Sequence, residues 1–205
     1  MKTIVKNIFS FQENLFFAPL RDKVDYARLI VYSARNLLLD YDEETLPVSG
    51  YMKLLIEKMS RLFLFSEDHI FSVSFPFTVR TAEEKITEIA SYSGREVNHK
   101  SISHIISVLE NEKFKLTHSL IDYYIESVAL DHEPFLLLEE ILQFEPTYIR
   151  YDNDPENENG KLHPLHHLDV NYSSYGTYKL GLDKAIAEGY LEDMLNIATE
   201  CSYLK

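Results

Sequence analysis

Three histidines, His163, His166 and His167, fall within one short stretch, and Asp169 and Asn171 follow at once. Upstream, across an acidic loop, stand Arg150 and Asp152; downstream stands Lys179. Imidazoles gathered with carboxylates and cations support two kinds of chemistry. Neutral imidazole nitrogens and carboxylate oxygens ligate divalent metals. Without a metal, one imidazole acts as general base and another as general acid, while Arg150 and Lys179 take up charge on a phosphoryl oxygen. A carboxylate such as Asp152 or Asp169 would orient one imidazole and favour its protonated form.

These residues need elements that point them the same way. The segment Thr147–Leu182 alternates polar and apolar residues as three short strands would. Tyr148, Arg150 and Asp152 then share one face, with Ile149 and Tyr151 on the other. His167, Asp169 and Asn171 share a face, opposite His166, Leu168, Val170 and Tyr172; Thr177 and Lys179 lie opposite Tyr178, Leu180 and Leu182. If the strands are neighbours, Arg150, Asp152, His167, Asp169, Asn171 and Lys179 converge, with His163 at the mouth before Pro164. Arg150, Asp152, His163, His167 and Asp169 are the candidate catalytic residues, and Lys179 and Asn171 the candidate substrate contacts. His166, on the apolar face, is assigned to packing.

The spacing favours the metal-free chemistry. On a straight strand His163 and His167 would lie roughly 13 Å apart, so only a bend at Pro164 would let them share an ion. No cofactor is expected, and a divalent metal is the alternative. The plain competing reading is an exposed sheet face laced with ion pairs, Arg150–Asp152 and Lys179–Asp169, each worth about 0–1 kcal/mol. The loop DNDPENENG (Asp152–Gly160) lacks EF-hand spacing and is read as a mobile hairpin loop beside the site. There is no P-loop, dinucleotide-binding glycine fingerprint or nucleophile elbow.

The rest of the chain reads as scaffold. Residues 1–20 suggest a short strand and a loop ending at Pro19. Asp22 caps an expected helix to about Leu39, with Val24, Ala27, Ile30, Val31, Ala34 and Leu37 on one stripe. A second helix is expected from Tyr51, carrying Met52, Leu55, Ile56, Met59, Leu62 and Phe63. HIFSVSFPFTVR reads as one half-buried strand, with Pro76 at an edge or bulge. Thr81 and Glu84 read as a capping box opening a helix that Gly94 ends. Further helices are expected from Ser101, over about Lys115–Ala129, from Pro134 to Phe144, and over about Asp183–Thr199. His69, His99, His104, His118 and His132 are scattered and read as surface or hydrogen-bonded polar residues. The expected architecture is α+β, a helical cluster on a small, mainly antiparallel sheet. It is read as a single domain: residues 1–145 a mainly helical scaffold, residues 146–205 a strand block with a closing helix.

Composition sets outer bounds. At 205 residues and 24.0 kDa, with 45% hydrophobic and 26% charged residues, the chain can bury a substantial core. Cys201 is its single cysteine, which excludes an intrachain disulfide and a cysteine metal site. A net charge of −13 repels phosphate backbones and argues against broad nucleic-acid binding. It leaves two partners open: RNA in a locally basic pocket, or a basic protein. The N-terminus lacks an uninterrupted apolar stretch and no segment has membrane-spanning character, so the expectation is a soluble cytoplasmic protein.

YIRYDND, a polar loop, HPLHHLDVNY and TYKLGL together resemble an uncharacterised bacterial family, the domain of unknown function 2290, through Arg150, Asp152, His163, Pro164, His167 and Leu168. The same block is similar to TumE-type toxins of toxin–antitoxin systems, through Arg150, Asp152, Asn153, His163, His166 and His167. The toxin likeness implies a ribonuclease-like role in a toxin or phage-defence setting. Three readings follow: a metal-independent phosphodiesterase, a non-catalytic interaction or immunity-type protein with an acidic docking surface, and a metal-dependent hydrolase on the same residues.

Overall fold

The computed structural model describes every residue except 1, 40–45, 59, 68, 84, 127–131, 202, 204 and 205. In chain order its elements are β1 (Lys2–Phe9), α1 (Glu13–Phe16), α2 (Lys23–Leu38), β2 (Val48–Ile56), β3 (Arg61–Phe65), β4 (His69–Ser74), β5 (Phe77–Ala82) and β6 (Lys85–Ser91). Then come α3 (His99–Leu109), α4 (Glu112–Thr117), α5 (Ile121–Glu126), α6 (Glu133–Gln143), β7 (Ile149–Asn153), β8 (His166–Val170), β9 (Tyr178–Gly181) and α7 (Glu188–Leu195). Among the described residues seven strands form one antiparallel sheet in the order β1-β2-β3-β4-β7-β8-β9, and β5–β6 is a separate hairpin. The class is α+β.

The sheet buries apolar residues on both faces. On one, Met52, Leu54, Leu62, Leu64, Phe71 and Val73 join the main core with Tyr26, Ile30 and Ala34 of α2, Ile102 and Ile105 of α3, and Leu138 and Ile141 of α6. On the other, Leu55, Phe63, Phe65, Ile70, Tyr151 and Leu168 pack with Leu191 of α7. Asp22 caps α2 as expected, its carboxylate accepting from the Val24 and Asp25 amides at 2.8 and 2.9 Å. Gly50 of β2 has no room for a side chain: a Cβ there would lie 2.2 Å from the Phe65 carbonyl oxygen and 2.7 Å from the Phe17 ring.

Several expectations are overturned. The helix expected from Tyr51 is instead the β2–β3 pair; Met59 lies outside the described residues. Its apolar residues alternate between two buried faces, so period two is masked by apolar residues at nearly every position, and chance spacings of three and four imitate a helix. The helix expected after Thr81 is the β5–β6 hairpin. The pairings Val79–Ile89 and Thr78–Ala90 prevail over the local cap signal, and the capping partner Glu84 is outside the described residues. HIFSVSFPFTVR is two strands: the chain leaves the main sheet at Phe75–Pro76 and starts the hairpin. The helix expected over Lys115–Ala129 is divided into α4 and α5 by His118, whose φ of 50° is left-handed; Val128 and Ala129 lie outside the described residues. The closing helix is shorter than expected. The sheet is larger than expected, because β1–β4 come from the first 145 residues. Among the described residues no helix is long and apolar enough to cross a membrane.

What this fold does for the polar block is extend the core face of the sheet past its apolar part. Phe71 of β4, in the main core, is directly opposite Arg150; Arg150 is opposite Asp169, and Asp169 is opposite Lys179. In the neighbouring row His69, Asp152, His167 and Gly181 lie opposite one another across the same four strands.

Candidate functional site

Strand alternation fixes which side chains share this face, and antiparallel register fixes which ones touch. Asp152 and Asp169, 2% exposed, and His167, 0% exposed, form its floor. Arg150 spans both carboxylates. Its Nε and Nη2 lie 2.8 and 2.6 Å from Asp152 Oδ2, and Nη2 lies 3.0 Å from Asp169 Oδ2. Lys179 Nζ donates to Asp169 Oδ1 and to His167 Nε2, both at 2.9 Å. His69 Nδ1 is 2.9 Å from Asp152 Oδ1. The structure thus brings together Arg150, Asp152, His167, Asp169 and Lys179.

The tautomer of His167 follows from its partners. Its Nδ1 is 2.8 Å from the Pro164 carbonyl oxygen, which can only accept, so Nδ1 carries the proton. Nε2 faces the Lys179 ammonium, which can only donate, so Nε2 presents a lone pair. His167 is therefore a neutral imidazole whose Nε2 accepts from Lys179, with Asp152 Oδ2 at 3.7 Å and Asp169 Oδ1 at 3.9 Å from the same nitrogen.

His163 also reaches the cluster. The chain bends at Pro164 and sets the His163 ring edge-on to His167, with centroids 4.7 Å apart, well inside the straight-strand separation. His163 Nε2 lies 3.2 Å from Asp154 Oδ2, but the contact is out of hydrogen-bond alignment, and among the described residues that buried nitrogen has no hydrogen-bond partner. The acidic loop between β7 and β8 is tied down at its base, where Asn159 pairs with His163 and the Asp154 amide donates to the Leu165 carbonyl. Asn171 is the one candidate set apart. It stands exposed past the end of β8 with φ of 63°, and the left-handed turn takes it out of the strand's alternation; its amide donates to the Tyr148 carbonyl at 3.0 Å. His166 lies on the opposite face, its Nδ1 3.0 Å from the Tyr151 hydroxyl.

His69 is the member that sequence reasoning missed. Alternation in β4 does put it on the Phe71 and Val73 side, but only the long-range pairing of β4 with β7 carries it to Asp152. With 44% of its side chain exposed, it is more open than Lys179 at 31% or Arg150 at 20%. The carboxylates and His167 are the floor; the cations and His69 form the rim that solvent meets.

Burial pushes the Asp152 carboxyl up, but the His69 hydrogen bond and the Arg150 charge outweigh it, so its pKa sits below the ordinary carboxylate value. Burial and the Asp152 and Asp169 charges act oppositely on Arg150, whose pKa is raised, so it remains a cation. Burial pushes the neighbouring Tyr148 hydroxyl up to about 12. The Asp152 shift predicts an acid limb in stability. Its folded pKa lies below the unfolded value of about 3.9, so its contribution is complete above that pH and is lost as pH falls through the folded value. Urea midpoints measured from pH 5 downward should fall below about pH 4, and more steeply for wild type than for Asp152→Asn. Equal slopes would mean that Asp152 is not held as described.

No family model, curated protein or solved structure matches this chain.

Proposed function

We propose that this cluster binds and cleaves a phosphodiester without a metal ion, with RNA as the substrate class. The observation that carries the reading is the layering of charge: two buried carboxylates are fronted by Arg150 and Lys179, and a half-exposed imidazole rests on one of them. An anion approaching an acidic chain of net charge −13 would meet guanidinium and ammonium at this spot.

In this mechanism His69, oriented through Nδ1 by Asp152, takes the proton of a ribose 2′-hydroxyl at Nε2. The O2′–P bond forms and the P–O5′ bond breaks, leaving a 2′,3′-cyclic phosphate. The leaving 5′ oxygen takes a proton from His163, which stands beside Asp154. Arg150 and Lys179 offset charge on the non-bridging oxygens. His167, too buried to meet substrate, positions Lys179. The likeness to TumE-type toxins agrees with RNA as the target, in a toxin or phage-defence setting.

Labelled RNA incubated with the purified chain should be cleaved equally with and without chelator, with a bell-shaped dependence of kcat/KM on pH from two imidazoles. Absence of cleavage, or its loss to chelator, would sink the reading. A second reading draws on a different observation. β9 is the last strand of the sheet, and Tyr178 and Leu180 on it, with Tyr175 before it, are exposed. A basic protein partner adding a strand there would make the chain an interaction module. RNA would then stay intact, and partner binding would weaken as salt rises.

A further inference from the structure

The Lys179 ammonium is held by groups that also serve as metal ligands. It is 2.9 Å from a neutral imidazole nitrogen and 2.9 Å from a carboxylate oxygen, with a second buried carboxylate beside them. Asp152, His167 and Asp169 each offer one ligand atom, all within 4.8 Å of one another. A tetrahedral zinc-class ion with bonds of roughly 2.0–2.1 Å needs ligand atoms about 3.4 Å apart. From His167 Nε2 the two carboxylate oxygens are at 3.7 and 3.9 Å, a few tenths of an ångström from that spacing, while the widest separation in the set, 4.8 Å, must close by about 1.4 Å as an ion binds. His167 also has the outer contact typical of a metal-bound histidine, its Nδ1–H on the Pro164 carbonyl, which points the Nε2 lone pair into the cage.

We propose that Asp152, His167 and Asp169 form a zinc-class divalent-metal site for which Lys179 is the built-in competitor, and that metal entry displaces Lys179 and switches the site off. The switching-off rests on the phosphodiesterase reading; the binding does not. Lys179 is suited to leave. It lies on the outermost strand, its four-carbon stem is flexible, and it lines an open cavity of about 430 Å³ whose wall also holds Asp183, a carboxylate to receive the ammonium. Departure frees His167 Nε2 and Asp169 Oδ1 together, since Lys179 holds both. Asp152 Oδ2 supplies the third ligand while sharing Arg150, and water the fourth. The charge steps from balanced, with two carboxylates against Arg150 and Lys179, to one excess positive charge. Affinity is therefore tempered by Arg150, and imidazole in the set favours zinc or cobalt over magnesium.

The test is titration calorimetry of Zn²⁺ and Mg²⁺ into the full chain as wild type, Lys179→Met and His167→Gln, with circular dichroism to check folding. Co²⁺ absorption serves as a second readout of imidazole ligation. Lys179→Met removes the competing charge from a partly exposed side chain, so it should fold and bind Zn²⁺ at least tenfold more tightly than wild type. His167→Gln should lose the site, and Mg²⁺ should not bind measurably in any variant. If Lys179→Met binds no Zn²⁺, or binds it no more tightly than wild type, the proposal is overturned, whether or not His167→Gln folds. The activity arm is separate: Zn²⁺ should inhibit RNA cleavage by wild type at the concentrations at which it binds. Tight binding by Lys179→Met with no cleavage by wild type would retain the metal site and reject the phosphodiesterase reading.

Discussion

Arg150→Met should lower the free energy of unfolding by about 3–5 kcal/mol, the range for breaking a buried ion pair from one side. Among the described residues Arg150 alone donates hydrogen bonds to both buried carboxylates, with three guanidinium–carboxylate contacts of 2.6–3.0 Å. Removing it leaves His69 on Asp152 and Lys179 on Asp169, but withdraws the charge that offsets their mutual repulsion. A urea titration reads the change as a lower midpoint at unchanged slope. Adding Asp169→Asn should restore part of the loss, because the second substitution removes one of the charges that the first leaves uncompensated. A loss below about 1 kcal/mol would instead class the cluster with ordinary surface ion pairs, the plain alternative that the sequence also allowed.

How far this cluster could be read in advance depends on the range of the information. Within each strand, alternation suffices: Arg150 and Asp152, His167 and Asp169, and Lys179 do lie on one face. The adjacency of β7, β8 and β9 is readable too, because the connections are local and the antiparallel order follows the chain. His69 was not legible, since its pairing with Asp152 joins strands separated by the β5–β6 hairpin and four helices, α3 to α6. The alternation that begins at His69 gives its face, unlike His99 or His104 in α3, but nothing local names the strand that pairs with it. Asn171 departs for the opposite reason: β8 and its alternation end one residue earlier, at Val170, and Asn171 lies in a left-handed turn.

The fold shows the same division. α2 was legible because one face is buried and the other is not, and because Asp22 supplies the cap. β2 and β3 were not, because α7 covers the face that would otherwise have been polar, with Lys53 paired to Glu192 and Tyr51 bonded to Glu188 across that contact. Helical spacing is evidence only when one side of the element is wet. Where both sides are dry, length and β-branched content become the better guides.

His69→Ala should reduce kcat/KM for RNA by about 10²–10⁴-fold, the usual contribution of a positioned general base, and should also cost about 1–3 kcal/mol of stability, because the buried Asp152 Oδ1 loses this partner. Exposure is what separates His69 from its neighbour. His167 is fully buried and engaged at both nitrogens, so it has no path to a substrate proton without rearrangement. His69 is half exposed, and its Nδ1 contact with Asp152 fixes the tautomer whose Nε2 can accept a proton. A base acting from this position has a signature that a structural role lacks. In His69→Ala the loss should fall on kcat rather than KM, one limb of the pH profile should disappear, and added imidazole should restore part of the rate. Asp152→Asn should keep the pH limb but shift it to lower pH, because the neutral amide no longer favours the imidazolium. Cleavage by His69→Ala within a few-fold of wild type would remove His69 from the mechanism. The proton transfer would then have to be sought at His163, whose side chain is 25% exposed where that of His167 is fully buried.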